Sequence, residues 1–537
     1  MQRMTQQIAM ACVALLACGT LCGQTPKSKP AGTLAQRIEL VMNRPEFAHA
    51  LFGVEVYSLD SDKILYEHNR GKLFVPGSTT KTVTEGTALE LLGADYRFHT
   101  KVYRTGEVAS DGTLTGDVIL VASGDPNLSG RIQPDGTLAF QNSDHSYAAD
   151  MLDARVVPGN PLGVMDELAK QIASRGIHKI RGRVIVDVSL FPEGTHEAGT
   201  GVVVSPVAVN DNVLDVTITP GAHAGDAATI QVSPETSYAH IVNRVTTGKS
   251  DSERQVDWSN DDMASDGTHT VVLQGSVPAG KPASLLPYAV PSPSRFAGVT
   301  LTEALEKAGV SVESVANESA PDFQALAKSY VPGNLVAEHI SPPLSEEIKV
   351  TLKVSQNLHA TMTPYILGAV LAHRHADADQ AGLDLEHGFL EKAGLDLTQA
   401  SQAEGAGGPG AFFTPDFMVH YLAYLSRQKN FNVFYRALPV LGRDGTLYNL
   451  LTDSPAAGHV HAKTGTFAEY DALNHTLMVT GKGLVGYVDT ADGRHLIVAA
   501  YVNNVSIPPN FEAAEKVGNA LAEIAAAAHD APSEPPR

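Results

Sequence analysis

Residues 75–93 read VPGSTTKTVTEGTALELLG, and how this stretch folds decides the rest. Val75-Pro76-Gly77 cannot continue a regular element, because proline lacks an N–H and glycine favours turns. The residues after Gly77 are spaced for a helix, with Val83, Thr87, Ala88, Leu91 and Leu92 on one face and Gly93 as the stop. Ser78 then lies at the helix start, and Lys81, three residues on, shares its face. A hydroxyl and an amine in that relation can exchange a proton, and a helix N-terminus favours negative charge developing on the serine. The spacing alone is weak evidence. Ser426-Arg427-Gln428-Lys429 has it too and reads as a solvated helix face.

Working outward, 34–41 suggests a first helix, and 51–59 with 63–68 alternate as two strands around Asp60-Ser61-Asp62. From 98 to 335 the texture changes to short β-like runs (118–122, 183–188, 213–218, 270–274) with helical pieces at 165–175 and 301–308. The polar stretch 243–268 reads as a long connection containing a mobile loop. A helix is expected over 344–357, with Glu346 and Glu347 in its first turn. Strands are expected at 459–466, 484–488 and 496–502, the last two joined by Ala491-Asp492-Gly493, before a closing helix at 511–528. An α/β domain is therefore assembled from both ends of the chain around an inserted module. The expected boundaries are a signal peptide at 1–23, the main domain at 30–97 and 336–530, the insertion at 98–335 and a solvated tail at 531–537.

Composition narrows the function. With 39 basic and 59 acidic residues the net charge is -20, which argues against a nucleic-acid surface. Arg3 followed by the apolar run 8–17 reads as an export signal too short for a membrane span. Cys12, Cys18 and Cys22 all lie within it, so cleavage near Gly23 leaves a chain without cysteine and excludes disulfides and thiol chemistry. The periplasm is the expected location, with a lipid anchor through Cys18 as an alternative and peripheral membrane contact at most.

Two further motifs lie downstream of Ser78 and Lys81. Ser355-Gln356-Asn357 is the only Ser-x-Asn in the chain, and its hydroxyl and amide can be aimed at one cleft. Lys463-Thr464-Gly465-Thr466 contains the only Lys-Thr-Gly and falls on an expected strand. A lysine there can hold a carboxylate, and Gly465 allows a close backbone approach. Each motif alone has a bland reading, a polar junction or an exposed strand lysine. In this order, and each on a suitable element, they match the signature of penicillin-binding proteins and class A β-lactamases.

The chain resembles the class C low-molecular-mass penicillin-binding proteins, which are D-alanyl-D-alanine carboxypeptidase/endopeptidases with a large insertion. The long separation of Ser78 from Ser355 fits that branch. So do Gly124-Asp125-Pro126, Asn210-Asp211-Asn212, Ser341-Pro342-Pro343-Leu344-Ser345, Gly442-Arg443-Asp444-Gly445-Thr446 and Val502-Asn503-Asn504. The resemblance implies an α/β fold: a penicillin-binding, transpeptidase-like domain, its antiparallel sheet flanked by helices, with a large, mainly β or mixed insertion. It implies peptidoglycan peptides as substrates, β-lactams as inhibitors, and no cofactor or metal. Ser78 would be the nucleophile, Lys81 a neutral base and Ser355 a proton relay. Asn357 would position the peptide, Lys463, Thr464, Gly465 and Thr466 would bind substrate, and the N–H groups of Ser78 and Thr466 would form the oxyanion hole.

Three features depart from the family pattern. Glu404-Gly405-Ala406-Gly407-Gly408 replaces an Asp-Gly-Ser-Gly-Leu run, Gly77 stands where alanine is usual, and 467–482 is long. A slow penicillin-binding scaffold is therefore kept as an alternative. A β-lactamase is disfavoured, because Glu469 comes after Lys-Thr-Gly and has the wrong spacing for a deacylating glutamate. His373-Arg374-His375 with Asp377 and Asp379 reads as a solvated loop rather than a metal cluster, and His459 and His461 as edge-strand polar residues.

Overall fold

A computed structural model describes residues 32–149, 151, 153–313, 321–508 and 511–531. The export signal, Cys18 and most of the proline-containing tail lie outside the described residues. The first element, α1 (Leu34–Met42), begins at a capping box in which Thr33 and Gln36 satisfy each other's backbone N–H groups. Strands β1 (Leu51–Ser58) and β2 (Lys63–His68) form the expected hairpin. A 3₁₀ turn at Gly77–Thr79 leads into α2 (Thr80–Leu92), which stops at Gly93.

Near the other end of the chain are α3 (Leu344–Val354), α4 (Asn357–Val370) and α5 (Pro415–Leu425). Strands β3 (Val460–Asp471), β4 (Thr476–Asp489) and β5 (His495–Asn503) come next, and α6 (Phe511–His529) closes the order. The strands assemble in the order β3-β4-β5-β1-β2, with neighbours antiparallel. The amino-terminal hairpin thus completes a sheet begun by the carboxy-terminal strands. One sheet face packs on α1 and α6 through Val54, Val498, Leu521 and Ile524. The other packs on α2 and α5 through Val83, Val485, Tyr487 and Phe417. Each such fully buried side chain contributes about 1.5–3 kcal/mol.

The inserted region leaves α2 through a strand at His99–Arg104 and returns through one at Leu335–Ile340, and these two strands pair with each other. Entry and exit therefore lie side by side. No helix among the described residues is long and apolar enough to cross a membrane.

Three expectations need correction. The stretch 243–268 is largely β-structure: strands Ala239–Gly248 and Gln255–Met263 flank His269–Pro278 in a three-stranded sheet. Both flanking strands are mostly exposed or half-buried, so polar side chains occupy them and blur the alternation. The helix expected over 344–357 ends at Val354, where Ser355 takes the left-handed conformation at φ 64°, and α4 starts anew behind Gln356. Finally, α2 buries more than one face. Its threonines tolerate this because Thr80, Thr82 and Thr84 donate their hydroxyls to the carbonyls of Gly77, Thr79 and Gly405.

Candidate active site

Lys81 Nζ lies 2.7 Å from Ser78 Oγ, as a spacing of three at a helix start dictates. The same ammonium donates to Asn357 Oδ1 at 2.6 Å and to the Ala406 carbonyl at 3.2 Å, and lies 3.5 Å from Ser355 Oγ. Lys81 is completely buried, whereas Ser78, Ser355 and Asn357 are partly open to the cleft. Burial pushes its pKa down to about 8, against the opposing charges of Glu404, Glu197 and Glu85.

Lys463, on β3, is also fully buried. Its ammonium donates to Ser355 Oγ at 2.9 Å and to the Thr464 carbonyl at 2.7 Å. Burial lowers its pKa well below the usual lysine range, and the Lys81 and Lys482 cations lower it further. The three motifs therefore meet at Ser355 Oγ, which lies between the two ammonium groups.

Close backbone packing brings β3 to Ser78. A Cβ on Gly465 would lie 2.0 Å from the Pro76 carbonyl oxygen and 3.0 Å from Ser78 N. A Cβ on Gly77, where φ is 51°, would lie 2.6 Å from Thr466 N. The departure at position 77 thus removes a side chain from the contact between the Ser78 turn and the strand. Thr464 shares a 2.7 Å hydrogen bond with Thr446, and exposed Thr466 accepts one from Lys482 at 2.7 Å. Asp444, next to that Thr446 loop, holds Lys353 near the end of α3 at 2.7 and 2.8 Å, and so anchors the helix that delivers Ser355.

Several participants escape a reading of the sequence. Glu404 accepts backbone N–H bonds from Ala406 at 2.7 Å, Gly407 at 2.5 Å and Gly408. It folds the divergent loop so that the Ala406 carbonyl, rather than a side chain, meets Lys81. Glu197 and Tyr147, both from the inserted region, bond to Asn357 Nδ2 and the Ser355 carbonyl. Nothing local marks Glu197 or Tyr147, since each matters for what it meets across the chain, and the Glu404 stretch is visible only as a departure from the family pattern.

The lookalikes lie elsewhere. Glu469 is exposed on the hairpin that extends β3 and β4, and Ser426 caps α5 with its hydroxyl on the Ala423 carbonyl. His373, Arg374 and His375 are exposed, with Arg374 paired to Asp377. His461 stacks on Tyr435, and His459, just ahead of β3, stacks on His529. Among the described residues, Asp144, His145 and Asp211 are close enough together to share a metal ion. The Arg131 guanidinium already supplies their positive charge, at 2.7 Å from Asp144 and 2.6 Å from Asp211.

Residues 34–528 match the D-Ala-D-Ala carboxypeptidase 3 (S13) family. A D-alanyl-D-alanine carboxypeptidase of Actinomadura sp. (strain R39) is 27% identical, over 96% of this chain and 89% of that protein. The D-alanyl-D-alanine carboxypeptidase DacB of Haemophilus influenzae is 21% identical over 87% and 88% of the two chains. The crystal structure of penicillin binding protein 4 (dacB) from that organism superposes with a TM-score of 0.66 at 20% identity, covering 91% of this chain and 97% of that one. Its complex with a β-lactam gives 0.67 at 19% identity, covering 92% and 98%.

Proposed function

The chain belongs to the D-Ala-D-Ala carboxypeptidase 3 (S13) family, and we propose that it cleaves its substrate through an acyl-enzyme on Ser78, with Lys81 as the base. It is a serine-type D,D-peptidase, a hydrolase of D-alanyl-D-alanine peptides. The observation that carries the residue assignment is the 2.7 Å hydrogen bond between Lys81 Nζ and Ser78 Oγ.

A pKa of about 8 leaves roughly a tenth of Lys81 neutral at pH 7, enough for a base whose affinity for protons lies near the working pH. In the proposed first step Ser78 Oγ bonds to the carbonyl carbon between two D-alanines while its proton passes to Lys81. The N–H groups of Ser78 and Thr466 stabilise the oxyanion. The C–N bond then breaks, and the proton travels from Lys81 through Ser355 to the leaving amine. Water attacks the ester by the reverse relay. Asn357 orients the peptide; Lys463 holds Ser355 and lends its field to the substrate carboxylate, with Thr464, Gly465 and Thr466 lining the edge strand. The natural substrates in this reading are peptidoglycan peptides met after export, and β-lactams are trapped at the same serine. The inserted region then serves as a second domain around the cleft.

Intact-mass measurement after exposure to penicillin tests this. Wild type and Ser426→Ala are expected to gain a penicilloyl adduct and Ser78→Ala none, with D-alanine release from a pentapeptide lost in parallel. An adduct mapped to another serine would overturn the assignment. An adduct without D-alanine release would favour the slow-scaffold alternative.

A further inference from the structure

Each residue of the Ser355–Gln356–Asn357 turn is tied to the inserted region. Tyr147 donates its hydroxyl to the Ser355 carbonyl at 2.5 Å. Gln356 donates its amide to Asp144 Oδ1 at 3.3 Å and Ser146 Oγ at 3.2 Å. Asn357 donates Nδ2 to Glu197 Oε1 at 2.8 Å. Ser355 is left-handed at φ 64°, a conformation that a non-glycine residue keeps only when its surroundings enforce it.

The Asn357 contact has a definite chemical sense. Its amide lies between Lys81, whose ammonium offers only donors, and Glu197, whose carboxylate offers only acceptors. Only one of the two amide orientations satisfies both neighbours. Glu197 is 3% exposed, and its carboxylate is fixed by backbone N–H groups of Gly199 and of Thr200, the latter at 2.7 Å. It therefore cannot swing away to release the amide.

We propose that Glu197 is a positioning residue for acylation: from the inserted region it locks the Asn357 amide with its oxygen toward Lys81. Only that amide separates its carboxylate from the ammonium, whose charged form it favours. This rests on the reading of Ser78 and Lys81 as nucleophile and base. The other charges bearing on Lys81 are Glu85 on its own helix, Glu404 from the loop before α5, and Lys463 on β3. Glu404 acts through the loop that presents the Ala406 carbonyl, whereas Glu197 acts through a side chain of the Ser-x-Asn motif itself. Tyr147 completes the arrangement by holding the carbonyl of the left-handed residue.

The test uses the full chain as wild type, Glu197→Gln and Glu197→Ala. Acylation by a fluorescent penicillin is measured against pH, with kcat, KM and thermal midpoint determined alongside. Glu197→Gln retains one acceptor oxygen for Asn357 and loses the bond from Thr200 N. With the negative charge gone, Lys81 deprotonates more easily, so the acidic limb of its profile is expected to move down by about half a pH unit or more. Glu197→Ala is expected to shift the same way and also to lower kcat by about tenfold or more with KM changed less than about twofold, because the amide is free to turn. An unshifted or upward-shifted limb in Glu197→Gln overturns the proposal, as does an activity loss in Glu197→Ala that only tracks a fall in thermal midpoint. Wild type forming no adduct at Ser78 would instead overturn the underlying site assignment.

Discussion

In the cleft, Lys81 and Lys463 donate to neutral oxygens: hydroxyls, an amide and backbone carbonyls. Across the Ser355–Asn357 turn, Arg131 is as deeply buried but donates to two carboxylates, Asp144 and Asp211. His145 lies between Asp211 at 2.7 Å and Asp215 at 2.8 Å, one on each ring nitrogen. Only an imidazolium has an N–H for both. His359 of α4 is held in part the same way: Nε2 bonds Asp211 at 2.9 Å, while Nδ1 faces Glu347 of α3 at 2.8 Å as an ion pair without hydrogen-bond geometry. The outcomes are opposite. Burial outweighs the nearby carboxylates and pushes Lys81 down to about 8, whereas at His359 the carboxylates overcome burial and raise it to about 10. One system is held near its ionisation point, which suits the base proposed for Lys81; the other keeps its charges and clasps the inserted region to α3 and α4.

Removing the shared carboxylate is expected to give the largest effect. Asp211→Ala leaves Arg131 with one carboxylate and strips one from each histidine, for a cost of about 3–5 kcal/mol read from the urea midpoint. A loss below about 1 kcal/mol would mean that the cluster is no clasp. Lys81→Met is expected to do the reverse, abolishing acylation while stability at pH 7 stays within about 1 kcal/mol or rises. Burying that cation costs about 3 kcal/mol from the fall of its pKa to about 8, which offsets the hydrogen bonds lost with it. A destabilisation as large as that of Asp211→Ala would erase the distinction.

The third contrast is a pair of pH slopes of opposite sign. His359 has a raised pKa, so its contribution is complete below about 6.5 and is lost as pH rises through about 10. The destabilisation caused by His359→Gln should therefore shrink across that window. Lys81 has a lowered pKa, so its penalty is complete below about 8 and is relieved as pH climbs to 10.5. Any advantage of Lys81→Met should accordingly fade between about pH 8 and 10.5. Denaturation curves of both variants against wild type check the signs, and slopes of the same sign would show that the two regions do not differ in kind.

The Asn210-Asp211-Asn212 run marks a limit of what residue order reveals. It is visible as a string shared with a family, but its work comes from three successive left-handed residues, at φ 48°, 53° and 54°, within which Asp211 reaches Arg131, His145 and His359. Asparagine and aspartate tolerate that conformation better than most side chains, yet nothing in the string says that three in a row adopt it. Ser355 is a parallel case. Its helix-forming neighbours suggest an unbroken helix, and only the tertiary contacts of Tyr147, Lys463 and Glu197 explain a left-handed break there. The strands flanking His269–Pro278 are hidden for another reason. A strand exposed on much of its surface has little hydrophobic alternation to read.

The sequence by itself determined what depends on neighbours along the chain. A spacing of three at a helix start puts Lys81 beside Ser78, alternation yields β1 and β2, and the order of three polar motifs identifies the reaction class. Tertiary structure alone decided how basic Lys81 is and which way the Asn357 amide faces. Both depend on burial and on charges brought within a few ångströms from remote positions, Glu197 and Glu404 among them. Coulomb energy and desolvation depend on distance in space, which the order of residues does not record.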